Sequence, residues 1–301
     1  MQSLENIIHA EQELIEKYLE DIFQEKAHLN SSEQRLLASV NYSLLGKGKR
    51  FRPALTLLME QILSGSTSQS LPFAAAVEMV HTYSLIHDDL PCMDDDTERR
   101  GEPTNHVIYG EAIALLAGDA LLTEAFGHMA LSPLPEVIKI QLIQKLHEAA
   151  GIHGMIAGQA ADIEAQRLSA EELLKIQKLK TGKLISVALE GAAIICQAPE
   201  KTQDLVRNLG DTLGLAFQVA DDLQDYNNNP HEICNWVPVI GLSSTENMLE
   251  ELTQKALQLC KALPDSPHRK KLQDIILFNL HRIPPSLSKK PSLPHEKTSK
   301  T

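Results

Sequence analysis

Five aspartates lie between Asp88 and Asp96 in HDDLPCMDDDTERRG, residues 87–101, and Arg99 and Arg100 follow at once. Two carboxylates about 4 Å apart near a protein surface repel by roughly 4 kcal/mol at an effective dielectric of 20, so such a cluster must protonate, spread apart or bind cations. The preceding apolar stretch predicts a helix running to Asp88 and Asp89, and Pro91 then disturbs its continuation. A kink there brings Asp94, six positions on, back beside Asp88. A second acidic stretch, FQVADDLQD, spans 217–225. Asp221 and Asp225 are four apart and share a helix face, with Gln218 one turn below Asp221. Hard cations with oxygen ligands, typically Mg²⁺, would draw such like charges together, and Mg²⁺ commonly combines one or two carboxylates with substrate phosphates. Taken alone, DDLQD reads equally well as a solvated helix end; one motif early and one late in the chain point to metal-held phosphate.

Phosphate needs donors as well as metals. Lys49, Arg50 and Arg52 in GKGKRFRP, residues 46–53, sit beside glycines and before Pro53, a residue suited to the first turn of a helix. A basic loop at a helix end has the same composition. Arg99 and Arg100 offer forked donors for diphosphate oxygens. Lys180 and Thr181 in KLKTGKL add a charge and a hydroxyl, or else a surface pair. His81 lies two turns before Asp88 on the same face, placing it toward the same cavity or in a structural role.

The elements that must carry these residues are helical. Apolar residues recur at helical spacing over about 4–26, 32–45, 52–64, 70–90, 105–131, 136–165, 170–196, 200–226, 245–263 and 268–281. Hydrophobic residues make up 43% and aromatics only 4%, a composition that suits packed helices better than sheets. About ten helices joined by short turns predict one all-α domain over 1–283. Residues 226–244, with Asn, Pro and Gly, predict a loop over one end of the bundle, and 284–301, rich in Pro, Ser and Lys, a disordered basic tail. A net charge of −12 argues against nucleic acid as a partner. Four cysteines without CxxC spacing suit a reducing compartment and make zinc improbable. The acidic N-terminus lacks a signal-peptide pattern and no apolar run approaches the length of a membrane span, which predicts a cytoplasmic location.

With these residues in place, the chain resembles the short-chain trans-isoprenyl diphosphate synthases, and among them the bacterial farnesyl diphosphate synthases. The resemblance runs from about residue 40 to 226, through GKGKRFRP, HTYSLIHDDLPCMDDDTERRGEPTNH, LAGDALL, GMIAGQAADI, KTG and FQVADDLQD. It implies an isoprenoid synthase-type bundle around a deep central cavity, a homodimer, and Mg²⁺-dependent head-to-tail condensation of isopentenyl diphosphate with allylic diphosphates. It further implies three Mg²⁺ per site, with Mn²⁺ able to substitute, held by Asp88, Asp94 and Asp221 with Asp89, Asp222 and Asp225 supporting through waters. Lys180, Thr181, Gln218 and Arg99 would contact the allylic substrate; Gly48, Lys49, Arg52, His81 and Arg100 would hold isopentenyl diphosphate. Tyr83 lies about 7.5 Å below Asp88 along the helix and, with Ser84, is placed to floor the cavity and stop the product at C15, or else is a core tyrosine.

The pattern fails after Asp225. Such enzymes carry a lysine-bearing segment ending in a KxTYP-like turn, whereas Trp236-Val237-Pro238 stands there here, with Cys234 in place of a lysine. No lysine or arginine occurs between Arg207 and Lys255. Three readings follow: an active enzyme closed by another element, such as Lys289 and Lys290 of the tail; a slow or altered one; or a relative that binds prenyl diphosphates or pairs with an active subunit. A class I terpene cyclase shares the aspartate chemistry but has no second diphosphate for GKGKRFRP and His81 to hold.

Overall fold

The computed structural model describes residues 3–24, 29–226 and 233–282. Among these, the helices in chain order are α1 (Leu4–Ile22), α2 (Ser31–Leu44), α3 (Phe51–Ser64), α4 (Leu71–Asp88), α5 (Asn105–Tyr109), α6 (Glu111–Leu131), α7 (Glu136–Ala150), α8 (Met155–Ile163), α9 (Ala170–Gln177), α10 (Lys183–Ile195), α11 (Glu200–Asp225), α12 (Trp236–Ile240), α13 (Leu242–Lys261) and α14 (Pro267–His281). A two-stranded hairpin, β1 (Glu98–Arg99) with β2 (Glu102–Pro103), is the sole sheet among the described residues. The all-α expectation holds, and the large spans coincide with the helices to within a few residues.

Two helices form the centre. Every residue of α10 from Leu184 to Ile195 is buried, and α4 is buried on most of its circumference, as expected of helices that are apolar all round. α6 packs along α4, α11 along α10, and α3 against both central helices. Outer helices are capped from their own sequence: Asn30 with Glu33 opens α2, and Ser169 with Glu172 opens α9, each by reciprocal side-chain and backbone bonds.

The differences from the sequence reading are local. The stretch 105–131 divides at Gly110, and 136–165 divides at Gly151–Gly154. The loop expected over 226–244 is helical from Trp236, because the Asn235 side chain caps α12 by accepting from the Val237 N–H at 2.9 Å. Residues 227–232 of that segment and the 284–301 tail lie outside the described residues. The expectation that no apolar run reaches a membrane span is also corrected: α6 is long and apolar enough by length and composition. One face of it packs on α4 through Ala114, Ala117, Leu121 and Ala125, while Leu115 and Leu116 are exposed.

Between α9 and α10 the helix passes through a π-turn, Lys178–Gly182, closed by the Lys183 N–H on the Lys178 carbonyl. Such single-turn expansions push their side chains out of register with the flanking helix. A Cβ at Gly158 of α8 would lie 2.3 Å from the Lys180 nitrogen, and one at Gly214 of α11 would lie 2.9 Å from the Gly182 Cα. Glycine at both positions lets the two helices grip the turn at backbone contact.

Candidate active site

The C-terminal ends of α4 and α11 carry the two acidic motifs. A helix C-terminus already bears a partial negative charge, so each set of aspartates stands at the unfavourable pole of its helix. At the end of α4 the chain doubles back: the Asp94 N–H donates to the Asp88 carbonyl at 2.9 Å, and Asp95 turns with a positive φ of 55°. The Pro91 disturbance thus returns Asp94 to Asp88. Burial pushes the Asp88 carboxyl up to about 6, and Asp94 and Asp89 add to the shift against the opposing pull of Lys180 and Arg99. Asp89 is buried and accepts from Arg99 Nε at 2.6 Å.

The hairpin explains the ERRG run. Arg100 and Gly101 both have positive φ, 58° and 77°, the geometry of a two-residue turn that matches strand twist. Arg99 is thereby fixed on β1 against Asp89 and Asp96, while Arg100 at the tip donates to the Lys47 carbonyl at 2.7 Å. Lys47 pairs with Glu102 at 2.6 Å, which ties the hairpin to the 46–50 loop.

That loop, the hairpin, α4 and the end of α11 enclose a cavity of about 900 Å³. Gly48, Lys49, Arg52, His81, Arg99, Arg100, Thr181, Gln218 and Asp221 all line it. Arg50 is buried and spent on Glu78 at 3.0 Å and on the Gly46 carbonyl at 2.6 Å. Burial pushes Arg52 down to about 10, with Glu78 and Asp221 opposing. His81 is held well below its usual range by burial first and by Arg52, Arg100 and Arg99 next. Since a guanidinium only donates, His81 Nε2 accepts from Arg52 at 3.3 Å and the neutral ring carries its proton on Nδ1. The cavity therefore holds more buried positive charge than its own carboxylates offset, as an anion site does.

A second cavity, about 430 Å³ and mostly apolar, shares Arg52, His81 and Thr181 with the first and is also lined by Tyr83, Ser84, Asp88, Met93, Leu122, Met155, Ile156 and Lys180. Tyr83 is buried, and its ring lies edge-on to His87 with centroids 5.7 Å apart. The Ser84 hydroxyl bonds back to the His81 carbonyl at 2.8 Å. Lys180 is paired with Asp162 of α8, and Asp88 and Asp94 also hold its charge up. Thr181 donates to Gln218 Oε1 at 2.8 Å.

On α11, the neighbouring aspartates part company. Asp221 faces the polar cavity, paired with Arg282, whose guanidinium also lies 4.5 Å over the Phe217 ring. Asp225 is exposed at the helix end, its carboxyl raised by partial burial and lowered by Arg282. Asp222 is buried, accepting from Gln177 Nε2 at 2.7 Å, Trp236 N–H at 2.8 Å and Gln218 Nε2 at 2.9 Å, so its side chain also holds scaffold. Residues missed from sequence include Arg282, which sits in an ordinary helix-end context, and Asp162, which lies inside the quoted GMIAGQAADI and whose spacing to Lys180 is visible only once α8 meets the π-turn. Arg282, at the end of α14, is a cation that reaches the second motif.

Among the described residues no three acidic or imidazole side chains converge as a self-sufficient metal cluster. The donor set suits instead a cation shared with a bound phosphate: carboxylates crowded and desolvated at two helix ends, facing a cationic cavity.

The family model described as Polyprenyl synthetase matches residues 33–235. The chain is 42% identical over 217 residues to the farnesyl diphosphate synthase of Bacillus subtilis, covering 70% of this chain and 72% of that one. It is 37% identical over 265 residues to the farnesyl diphosphate synthase of Micrococcus luteus, covering 83% and 90%. The crystal structure of an FPP/GFPP synthase from Zymomonas mobilis superposes with a TM-score of 0.84 at 29% identity, over 91% of this chain and 98% of that one.

Proposed function

The chain belongs to the polyprenyl synthetase family and is a prenyltransferase, and we propose that it condenses isopentenyl diphosphate with dimethylallyl and then geranyl diphosphate to give farnesyl diphosphate. The observation that carries this reading is the junction of two cavities, one cationic and one apolar, at the ends of α4 and α11, with Tyr83 on the apolar wall. Two diphosphates and one growing hydrocarbon need such a pair. A cyclase, with one diphosphate to hold, has no use for the second cationic wall of Lys49, Arg52, His81 and Arg100.

Asp88 and Asp94 on one side and Asp221 on the other would hold Mg²⁺, which neutralises diphosphate oxygens and relieves the carboxylates' repulsion. Lys49, Arg52 and Arg100 bind the isopentenyl diphosphate, with neutral His81 donating from Nδ1. Lys180, Thr181, Gln218 and Arg99 bind the allylic diphosphate and orient C1 toward the isopentenyl double bond. The C–O bond breaks with its electron pair going to the diphosphate, the double bond attacks C1, and the released diphosphate takes the proton. Met93, Leu122, Met155 and Ile156 keep water from the cation. A second copy of the chain would cover Val107, Ile108, Leu115 and Leu116, exposed on α5 and α6, as a homodimer. The spacing of the four cysteines, with no CxxC pair, supports a reducing, cytoplasmic setting.

The test is one incubation of the purified chain with isopentenyl and labelled dimethylallyl diphosphate, with and without Mg²⁺, followed by product chromatography. Metal-dependent C15 product is expected. Binding of both substrates without C10 or C15 product would recast the chain as a binding relative or partner subunit, and hydrocarbon from farnesyl diphosphate alone would recast it as a cyclase.

A further inference from the structure

Gln159 of α8 lines the apolar cavity, and its Oε1 and Nε2 are both buried without a hydrogen-bond partner among the described residues. A buried amide left unpaired destabilises a fold, so its presence calls for a ligand. Its position is tightly fixed. Gly158, the residue before it, brings α8 to backbone contact with Lys180, and Asp162, three residues after it on the same face, pairs with the Lys180 ammonium. The same helix face thus presents a gripped ammonium and, one turn away, a free amide among Met155, Ile156 and Ile163. If Lys180 meets the allylic diphosphate, Gln159 meets the carbons next to it.

We propose that Gln159 is a catalytic residue of the ionisation step, with its amide oxygen facing C1–C3 of the allylic chain and Nε2 donating to the departing diphosphate. This rests on the prenyl-transfer reading above and deepens it. The chemistry favours an amide at this spot: its oxygen offers partial negative charge to a developing allylic cation, whereas a carboxylate so close could capture that cation as an ester. Held in place before the reaction, the dipole needs no reorganisation as charge develops. The C–O electron pair still leaves with the diphosphate, and Gln159 forms no covalent bond.

The experiment compares the full-length chain with Gln159→Met, which conserves volume and removes both polar atoms, and with Gln159→Asn, which keeps a retracted amide. Steady-state kinetics with dimethylallyl and isopentenyl diphosphates and Mg²⁺ are read beside the thermal midpoint. Expected for Gln159→Met is a kcat about 100-fold lower, both KM values within about threefold, and a midpoint equal to or above that of the parent. Gln159→Asn should recover part of kcat. A kcat within about threefold of the parent would make the amide a bystander, and a kcat that falls together with the midpoint would make it structural; either overturns the proposal. A parent chain that makes no prenyl product removes the prenyl-transfer reading and this one with it, whereas an active parent with an equally active Gln159→Met removes this one alone.

Discussion

Asp222→Ala should unfold a part of the molecule that Asp221→Ala leaves intact, although the two residues are neighbours in one acidic motif. Asp222 accepts hydrogen bonds from Gln177 at 2.7 Å, the Trp236 N–H at 2.8 Å and Gln218 at 2.9 Å. Bonds to a charged acceptor contribute about 1.5–3 kcal/mol each. After truncation Gln177 Nε2 keeps the Cys234 carbonyl at 3.2 Å, whereas Gln218 Nε2 and the Trp236 N–H both lose their acceptor, the first beside the polar cavity and the second in the core. Allowing for that partial rescue, the cost is about 3–5 kcal/mol, the range seen when one partner of a buried charged set is removed. For a chain of this size each kcal/mol lowers Tm by about 2–4 °C, so a fall of about 10 °C is expected. The assay has a built-in local probe. Trp236 is the chain's single tryptophan, is 3% exposed and donates from Nε1 to Gln177 at 2.6 Å, so its emission should shift to the red below the global transition. Asp221→Ala breaks its pair with Arg282 but also removes a carboxyl that burial already disfavours, so it should lower Tm less than Asp222→Ala does while abolishing turnover. If Asp222→Ala left Tm and Trp236 emission unchanged and removed only the Mg²⁺-dependent rate, the structural assignment of Asp222 would be refuted.

Three further outcomes can be checked. Because burial raises the folded Asp88 carboxyl from 3.8 to about 6, the metal-free protein is favoured while Asp88 is protonated and loses that contribution as pH rises from about 4 through 6; Mg²⁺ binding, which needs the carboxylate, should weaken by up to tenfold per unit in that window on acidification. Calorimetry at pH 5 and 7 reads it, and an affinity independent of pH refutes it. Tyr83→Ala should open the apolar cavity and lengthen the main product by one five-carbon unit in the chromatographic assay; unchanged product length would make Tyr83 a core residue only. Arg282→Gln should weaken binding of inorganic diphosphate with Mg²⁺ about fivefold by calorimetry, and no change would show that Arg282 only neutralises Asp221.

Much of this site was legible before any coordinates. Helical periodicity located the long helices, and Pro91 between two aspartate groups implied the fold-back that the Asp94–Asp88 backbone bond makes. What could not be read was how residues distant in sequence divide between chemistry and scaffolding. Asp221 and Asp222 are identical in type, and only the approach of Gln177 and Trp236 from α9 and α12 separates their surroundings. The same holds for Arg50 and Arg52, where Glu78 of α4 claims the first. Arg282 left no trace in the motif pattern because its partner lies 61 positions away. The short helix at Trp236 was hidden by the Asn and Pro around it, which read as loop chemistry although Asn235 acts as a cap.

The grip of Gly158 and Gly214 on the π-turn bears on how such an enzyme can change over generations. Lys180 and Thr181 cannot shift without moving two helix backbones, so inherited variation at the charged end is penalised at once. Tyr83, Leu122 and Met155 line the apolar wall and take no part in the two glycine contacts, so substitutions there leave the gripped turn untouched. The molecule thereby separates a frozen region from an adjustable one. A lineage built on this scaffold can diversify the length of what it makes while inheriting the means of making it unchanged.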